Sequence, residues 1–152
     1  MKQVLAFLIV LLAMASCTGN QQKETKGTAL EQYVDSITNV YPNYSGNIAA
    51  QQMIGEDFIK RLATHPEILD GTVFKLVNIG EIAGKTMVMF SSDYLYLWSE
   101  DYGTENAAKL DKSKSYKIVA GEFDKYEPVD GVAGPSLKLG SVYYRNLAME
   151  EI

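Results

Sequence analysis

The sequence predicts a mainly β fold with N-terminal helices: two helical segments, then a five-stranded barrel in the order β-β-β-α-β-β. Three observations lead to it. Apolar residues recur at helical spacing as far as Pro66, and with a period of two from Gly71 onward. Five runs rich in Val, Ile, Phe and Tyr follow, separated by turn-forming residues. Two of the longest runs contain an internal glycine, Gly80 in VNIGEI and Gly121 in IVAGEF. A glycine weakens a strand unless the strand must bend or bulge there, and small closed barrels need strands that bend. The chain has 152 residues, which bounds it to one core of moderate size.

The first element is not part of that fold. Met1-Lys2 is a positive start, Val4–Leu12 an apolar run, and Met14-Ala15-Ser16 a small-residue close before Cys17. The apolar run is too short to span a bilayer and has the pattern of a cleaved export signal. An ordinary export signal needs no cysteine, yet the only cysteine of the chain stands there. The segment therefore resembles a bacterial lipoprotein signal, with Met14 where leucine is commoner. The resemblance implies cleavage after residue 16, acylation of the Cys17 thiol and amine with palmitate among the acyl chains, and no free thiol afterwards. It also implies attachment to the cell envelope, and Thr18 in place of an aspartate implies the outer membrane of a Gram-negative bacterium. Each buried CH₂ contributes about 0.8 kcal/mol, so two or three chains anchor without a membrane-spanning helix.

Residues 17–27 form an expected flexible tether. The stretch TGNQQKETKG has no large apolar side chain, and ten such residues reach on the order of 17 Å. Residues 28–70 form the expected helical segment. Thr28 and Glu31 have capping-box spacing, and Leu30, Tyr33, Val34, Ile37 and Tyr41 lie on one stripe. PNYSG at Pro42–Gly46 breaks this helix; a second is expected over Asn47–Thr64, with Ile54, Phe58, Ile59 and Leu62 on its apolar face. Residues 71–152 hold the expected strands, at Thr72–Ile82, Thr86–Ser91, Tyr94–Trp98, Tyr116–Tyr126 and Ser136–Tyr144, with a short helix over Thr104–Leu110.

In this second half GTVFKLVNIGEIAG, KLDKSKSYKIVAGEF and SLKLGSVYY resemble an OB-fold. More narrowly, they resemble the OB-fold domains of bacterial lipoproteins grouped with tRNA-anticodon-binding-like proteins. The resemblance covers about half the chain and implies the barrel with a helix between strands three and four. It does not imply nucleic acid as a partner. The formal net charge is −5, and cleavage after residue 16 would remove Lys2 and no acid. A nucleic-acid-binding surface needs clustered Lys and Arg to displace counterions, and Lys109, Lys112, Lys114 and Lys117 are interleaved with Asp111.

No catalytic residue, metal site or cofactor is expected. The GxSxG, HExxH, GxxxxGK(S/T) and GxGxxG patterns do not occur. His65 is the only histidine, beside Pro66 at a helix end where a cation is favoured, and reads as structural. Glu100-Asp101-Tyr102-Gly103-Thr104-Glu105 lacks the alternation of a calcium loop, and it reads with Asp124, Glu127 and Asp130 as solvated.

The candidate ligand-binding residues are aromatic. In SDYLYLWSE, Leu95 and Leu97 fall on one side of a strand, and Tyr94, Tyr96 and Trp98 on the other. If the leucines face the barrel interior, the three rings line an outer face, with 124–136 as one rim. The favoured expectation is that an amino-terminal helix packs over that face; a protein, peptide or glycan ligand is the alternative. Of Tyr143 and Tyr144, and of Tyr41 and Tyr44, one each is expected in the core. The functional expectation is a lipid-anchored, non-catalytic envelope protein that binds an unknown ligand, or else a structural spacer with the rings covered.

Overall fold

Thr28 starts the first helix by the bonds its spacing predicts. In the computed structural model, which describes residues 27–128 and 136–152, its hydroxyl accepts from the Glu31 amide at 3.3 Å. The Glu31 carboxylate accepts from the Thr28 amide at 2.6 Å, completing a capping box ahead of α1 (Ala29–Val40). The expected signal, Cys17 and nearly all of the tether lie outside the described residues. Asn47 caps α2 (Ile48–Thr64), which ends at His65, and Pro66–Leu69 forms a 3-10 turn. No helix among the described residues is long and apolar enough to cross a membrane.

Five strands follow: β1 (Phe74–Ile82), β2 (Lys85–Ser91), β3 (Leu95–Ser99), β4 (Ser115–Glu127) and β5 (Gly140–Glu151), with the one-turn α3 (Thr104–Ala107) between β3 and β4. They form a mixed sheet that closes on itself in the order β1-β2-β3-β5-β4. Neighbours are antiparallel except β3 and β5, which run parallel. A parallel pair needs a long connection, and α3 with β4 supplies it. Closure is uneven. β4 and β5 pair along most of their length, whereas β1 and β4 meet only at Phe74–Tyr116 and Lys75–Ser115.

The register explains the core. Leu76, Phe90, Leu97, Val142 and Tyr126 pair in turn across all five strands and point the same way. Phe90, Leu97 and Val142 are fully buried. The helices join the same core. Leu30, Val34, Ile54, Phe58 and Leu62 are buried in one cluster with Phe74, Leu95 and Leu139. Phe58 meets Tyr126 edge-on at 6.0 Å, and the Tyr126 hydroxyl donates to the Leu139 carbonyl. Gly55 lets α2 approach that hydroxyl: a Cβ there would stand 2.8 Å from it.

The two internal glycines behave differently. Gly121 sits where the β4–β5 register shifts, at φ 155°, and a Cβ would meet Tyr144 Cδ1 at 2.9 Å. Gly80 instead pairs regularly with Met87; the irregularity of β1 falls between Leu76 and Asn78. β5 also departs from expectation. It begins at Gly140 rather than Ser136 and continues through Arg145–Glu151, where Ala148, Met149, Glu150 and Glu151 pair with Ala120, Ile118, Lys117 and Tyr116.

Candidate functional site

The outward-facing residues form two rows parallel to the core row. In the first, Asn78, Met89, Trp98, Tyr143 and Lys125 are cross-strand partners from β1 through β2, β3 and β5 to β4. In the second, Lys75, Ser91, Tyr96, Ser141 and Glu127 are partners in the same order. Side chains of directly paired residues touch, so each row is a chain of contacts rather than a set of isolated groups.

The first row is stacked. Trp98 and Tyr143 lie with ring centroids 5.9 Å apart and planes 12° apart, the offset arrangement that ring quadrupoles favour. Lys125 Nζ stands 4.1 Å from the Tyr143 ring centroid. The second row contains two small residues, Ser91 and Ser141, on either side of Tyr96. Where a large row borders a small one, a depression results. It is a groove of about 590 Å³ lined by Val77, Met89, Tyr96, Trp98, Glu127, Pro128, Ser141 and Tyr143. Residues 129–135, part of the expected rim, lie outside the described residues.

Its polar end is a small network. The Tyr143 hydroxyl donates to Glu127 Oε2 at 2.7 Å, and Lys125 Nζ lies 3.2 Å from Glu127 Oε1 and 3.5 Å from Glu100 Oε1. The Tyr143 hydroxyl and the Lys125 ammonium hold the Glu127 carboxyl below its ordinary range. Burial, reinforced by that hydrogen bond, pushes the Tyr143 phenol up to about 12. The bond to Glu127 raises Lys125 in turn. Lys138 Nζ donates to the Ser92 and Asp93 carbonyls at 3.2 and 2.6 Å, and stands 5.7 Å from the Tyr96 ring centroid. The Trp98 indole nitrogen is covered and has no hydrogen-bond partner among the described residues, so this side chain presents apolar surface rather than a donor.

Of the three aromatic residues picked out in the sequence, the structure brings two together. Tyr96 and Trp98 line the groove; Tyr94 does not. β3 begins only at Leu95, and the Ser92 hydroxyl accepts from the Tyr94 and Leu95 amides, turning the chain just before the strand. Tyr94 packs partly buried against the core, and burial, then the charges of Glu31, Asp93 and Asp35, raises its pKa. The expected helix does not cover Tyr96 and Trp98: no residue of α1 or α2 lines the groove. Tyr143 has the opposite history. Sequence leaves it ambiguous with Tyr144; the structure buries Tyr144 and puts Tyr143 beside Trp98.

The remaining polar groups form separate pairs. A cleft between α1, α2 and the 3-10 turn holds Tyr33, whose hydroxyl lies 3.1 Å from Asp57 Oδ2, and His65, whose Nδ1 lies 3.0 Å from Glu67 Oε1 with both exposed. Burial, then Asp57, raises Tyr33. Asp101 accepts from Ser99, and Asp124 pairs with Arg145 at 3.1 Å. Among the described residues no group of three or more His, Cys, Asp or Glu is arranged to hold a metal ion. Comparison with protein-family models, with curated proteins and with solved structures finds no match to this chain.

Proposed function

We propose that this protein is a lipid-anchored, non-catalytic component of a bacterial envelope, built on an OB-fold, that binds another envelope component through the groove at Tyr96, Trp98 and Tyr143. The strand order, the parallel β3–β5 pair and the helix between β3 and β4 support the OB reading, because that arrangement combines five strands with one helical crossover. The export pattern ending at Cys17 supports the anchor, and Thr18 supports the outer membrane.

One observation carries the binding role: α1 and α2 bury their apolar faces in the core, and among the described residues no helix covers the Tyr96–Trp98 face. A spacer would gain nothing from keeping a tryptophan, two tyrosines and a methionine in an open groove, since exposed apolar surface is a liability unless it meets something. A binding groove is typically apolar with a few placed polar groups, and Glu127 and Ser141 fill that role here.

Two measurements test the reading. Replacing Cys17 with serine should move the full-length protein from the membrane to the soluble fraction; a variant still retained by membranes sinks the anchor. Trp98 is the only tryptophan, so its emission reports on the groove directly. The emission should be quenched by a neutral solute in the free protein, and Trp98→Ala should keep the circular dichroism spectrum. A spectrum lost with Trp98→Ala would make the ring part of the core and end the binding proposal.

A further inference from the structure

We propose that the groove takes a neutral oligosaccharide, with one sugar ring lying against Tyr96 over Ser141 and its hydroxyls donating to Glu127. This rests on the groove being a binding site. The register builds the slot. Tyr96 and Glu127 both pair with Ser141, from opposite sides, so they stand two strand spacings apart, about 10 Å between strand axes. Ser141 is the small residue between them, and the Trp98–Tyr143 stack forms the adjoining wall. The slot is bounded by an aromatic ring on one side and a carboxylate on the other, with a hydroxyl beneath.

A sugar ring matches these three features together. Its C–H face is apolar and flat, and loses water favourably against an aromatic ring. Its rim is hydroxyls. A carboxylate offers about four acceptor sites, of which the Tyr143 hydroxyl and Lys125 occupy one on each oxygen, leaving sites for two sugar O–H donors. Such charge-assisted bonds are stronger than neutral ones.

Charge excludes the competitors. Glu127 is the one charged residue lining the slot, and Lys125 Nζ pairs with it at 3.2 Å, so the slot offers no unpaired charge to attract an ion. An anionic ligand, including a nucleic acid, would meet Glu127, which its neighbours keep ionised, on a chain of net charge −5. A cationic peptide would find Lys125 at the Tyr143 ring and Lys138 near the Tyr96 ring already. A wholly apolar segment would bury Glu127, Ser141 and the tyrosine hydroxyls without partners, an unfavourable desolvation.

The test is titration of Trp98 emission in the full-length protein with cellotriose and with chitotriose, beside hexalysine and a thymidine hexanucleotide. At least one neutral trisaccharide should give a saturable change with Kd at or below about 1 mM. Ser141→Leu, which fills the slot, and Glu127→Gln, which removes the charge and keeps the shape, should each weaken it at least about tenfold. Two variants guard against one failing to fold. Unchanged affinity in both folded variants overturns the proposal. A response to hexalysine or the oligonucleotide without one to either sugar overturns the sugar assignment and leaves the groove as a binding site. No response to any of the four overturns the groove as a binding site as well.

Discussion

At Gly55 two effects oppose one another. Alanine in the interior of α2 would favour the helix by about 1 kcal/mol over glycine. Its Cβ would also stand 2.8 Å from the Tyr126 hydroxyl, which is the donor to the Leu139 carbonyl. Displacing that hydroxyl leaves a buried acceptor unpaired, at a cost of about 1–3 kcal/mol. The second effect should win, because Tyr126 packs edge-on against Phe58 and its backbone is fixed by pairing with Val142. Gly55→Ala should lower the midpoint of thermal unfolding, and Gly55→Ala combined with Tyr126→Phe should recover part of the loss; a stabilised single variant would show the contact to be loose. Contacts of this kind are not legible in sequence. Gly55 and Tyr126 are far apart along the chain, and only the register of β4 and β5 brings the ring under α2. Tyr94 makes the same point in reverse: alternation groups it with Tyr96 and Trp98, but alternation holds only inside a strand, and the Ser92 turn ends the strand one residue short of it.

Among the elements, α1 was the most legible, because its start is chemically local. Thr28 and Glu31 satisfy each other's backbone amides, and no distant residue is needed. Thr28→Ala removes the hydroxyl acceptor from that exchange and should cost about 0.5–2 kcal/mol, measured by denaturant unfolding. A cost near zero would mean that packing of Leu30 and Val34 alone fixes the helix start. The end of β5 was the least legible. Arg145-Asn146-Leu147-Ala148-Met149-Glu150-Glu151 is rich in helix-favouring residues, and Asn146 has a positive φ of 50°. It is a strand because β4 is long enough to pair with it, and salt bridges from Lys114 to Glu151 and Lys117 to Glu150 line the pairing. Exposed bridges of this kind contribute little, so the backbone ladder and burial of Leu147 decide the conformation. The groove was half legible for the same reason. β3 supplies Tyr96 and Trp98 from one short run, whereas Tyr143, Ser141 and Glu127 enter only through pairing with β5 and β4.

The molecule as a whole should be sensitive to alkali. Burial raises the Tyr126 phenol to about 12, and burial with Asp70 raises Tyr144 to about 12, against roughly 10 in an unfolded chain. Below pH 10 both states hold these protons and the stability is complete. Between pH 10 and 12 the unfolded chain has released protons that the folded one keeps, so stability falls as pH rises through that window. Phenolate absorbance should therefore rise in two stages, the later one together with loss of the circular dichroism signal; a single early stage with the fold intact would show these hydroxyls reaching solvent.

The two-pair meeting of β1 and β4 has a mechanical meaning. A tube hemmed by so few stitches, in a chain whose only cysteine is Cys17, should part first along that hem when warmed or pulled. The groove runs from Val77 on one of those strands to Glu127 on the other. A ligand lying along its full length would touch both strands and act as a clasp.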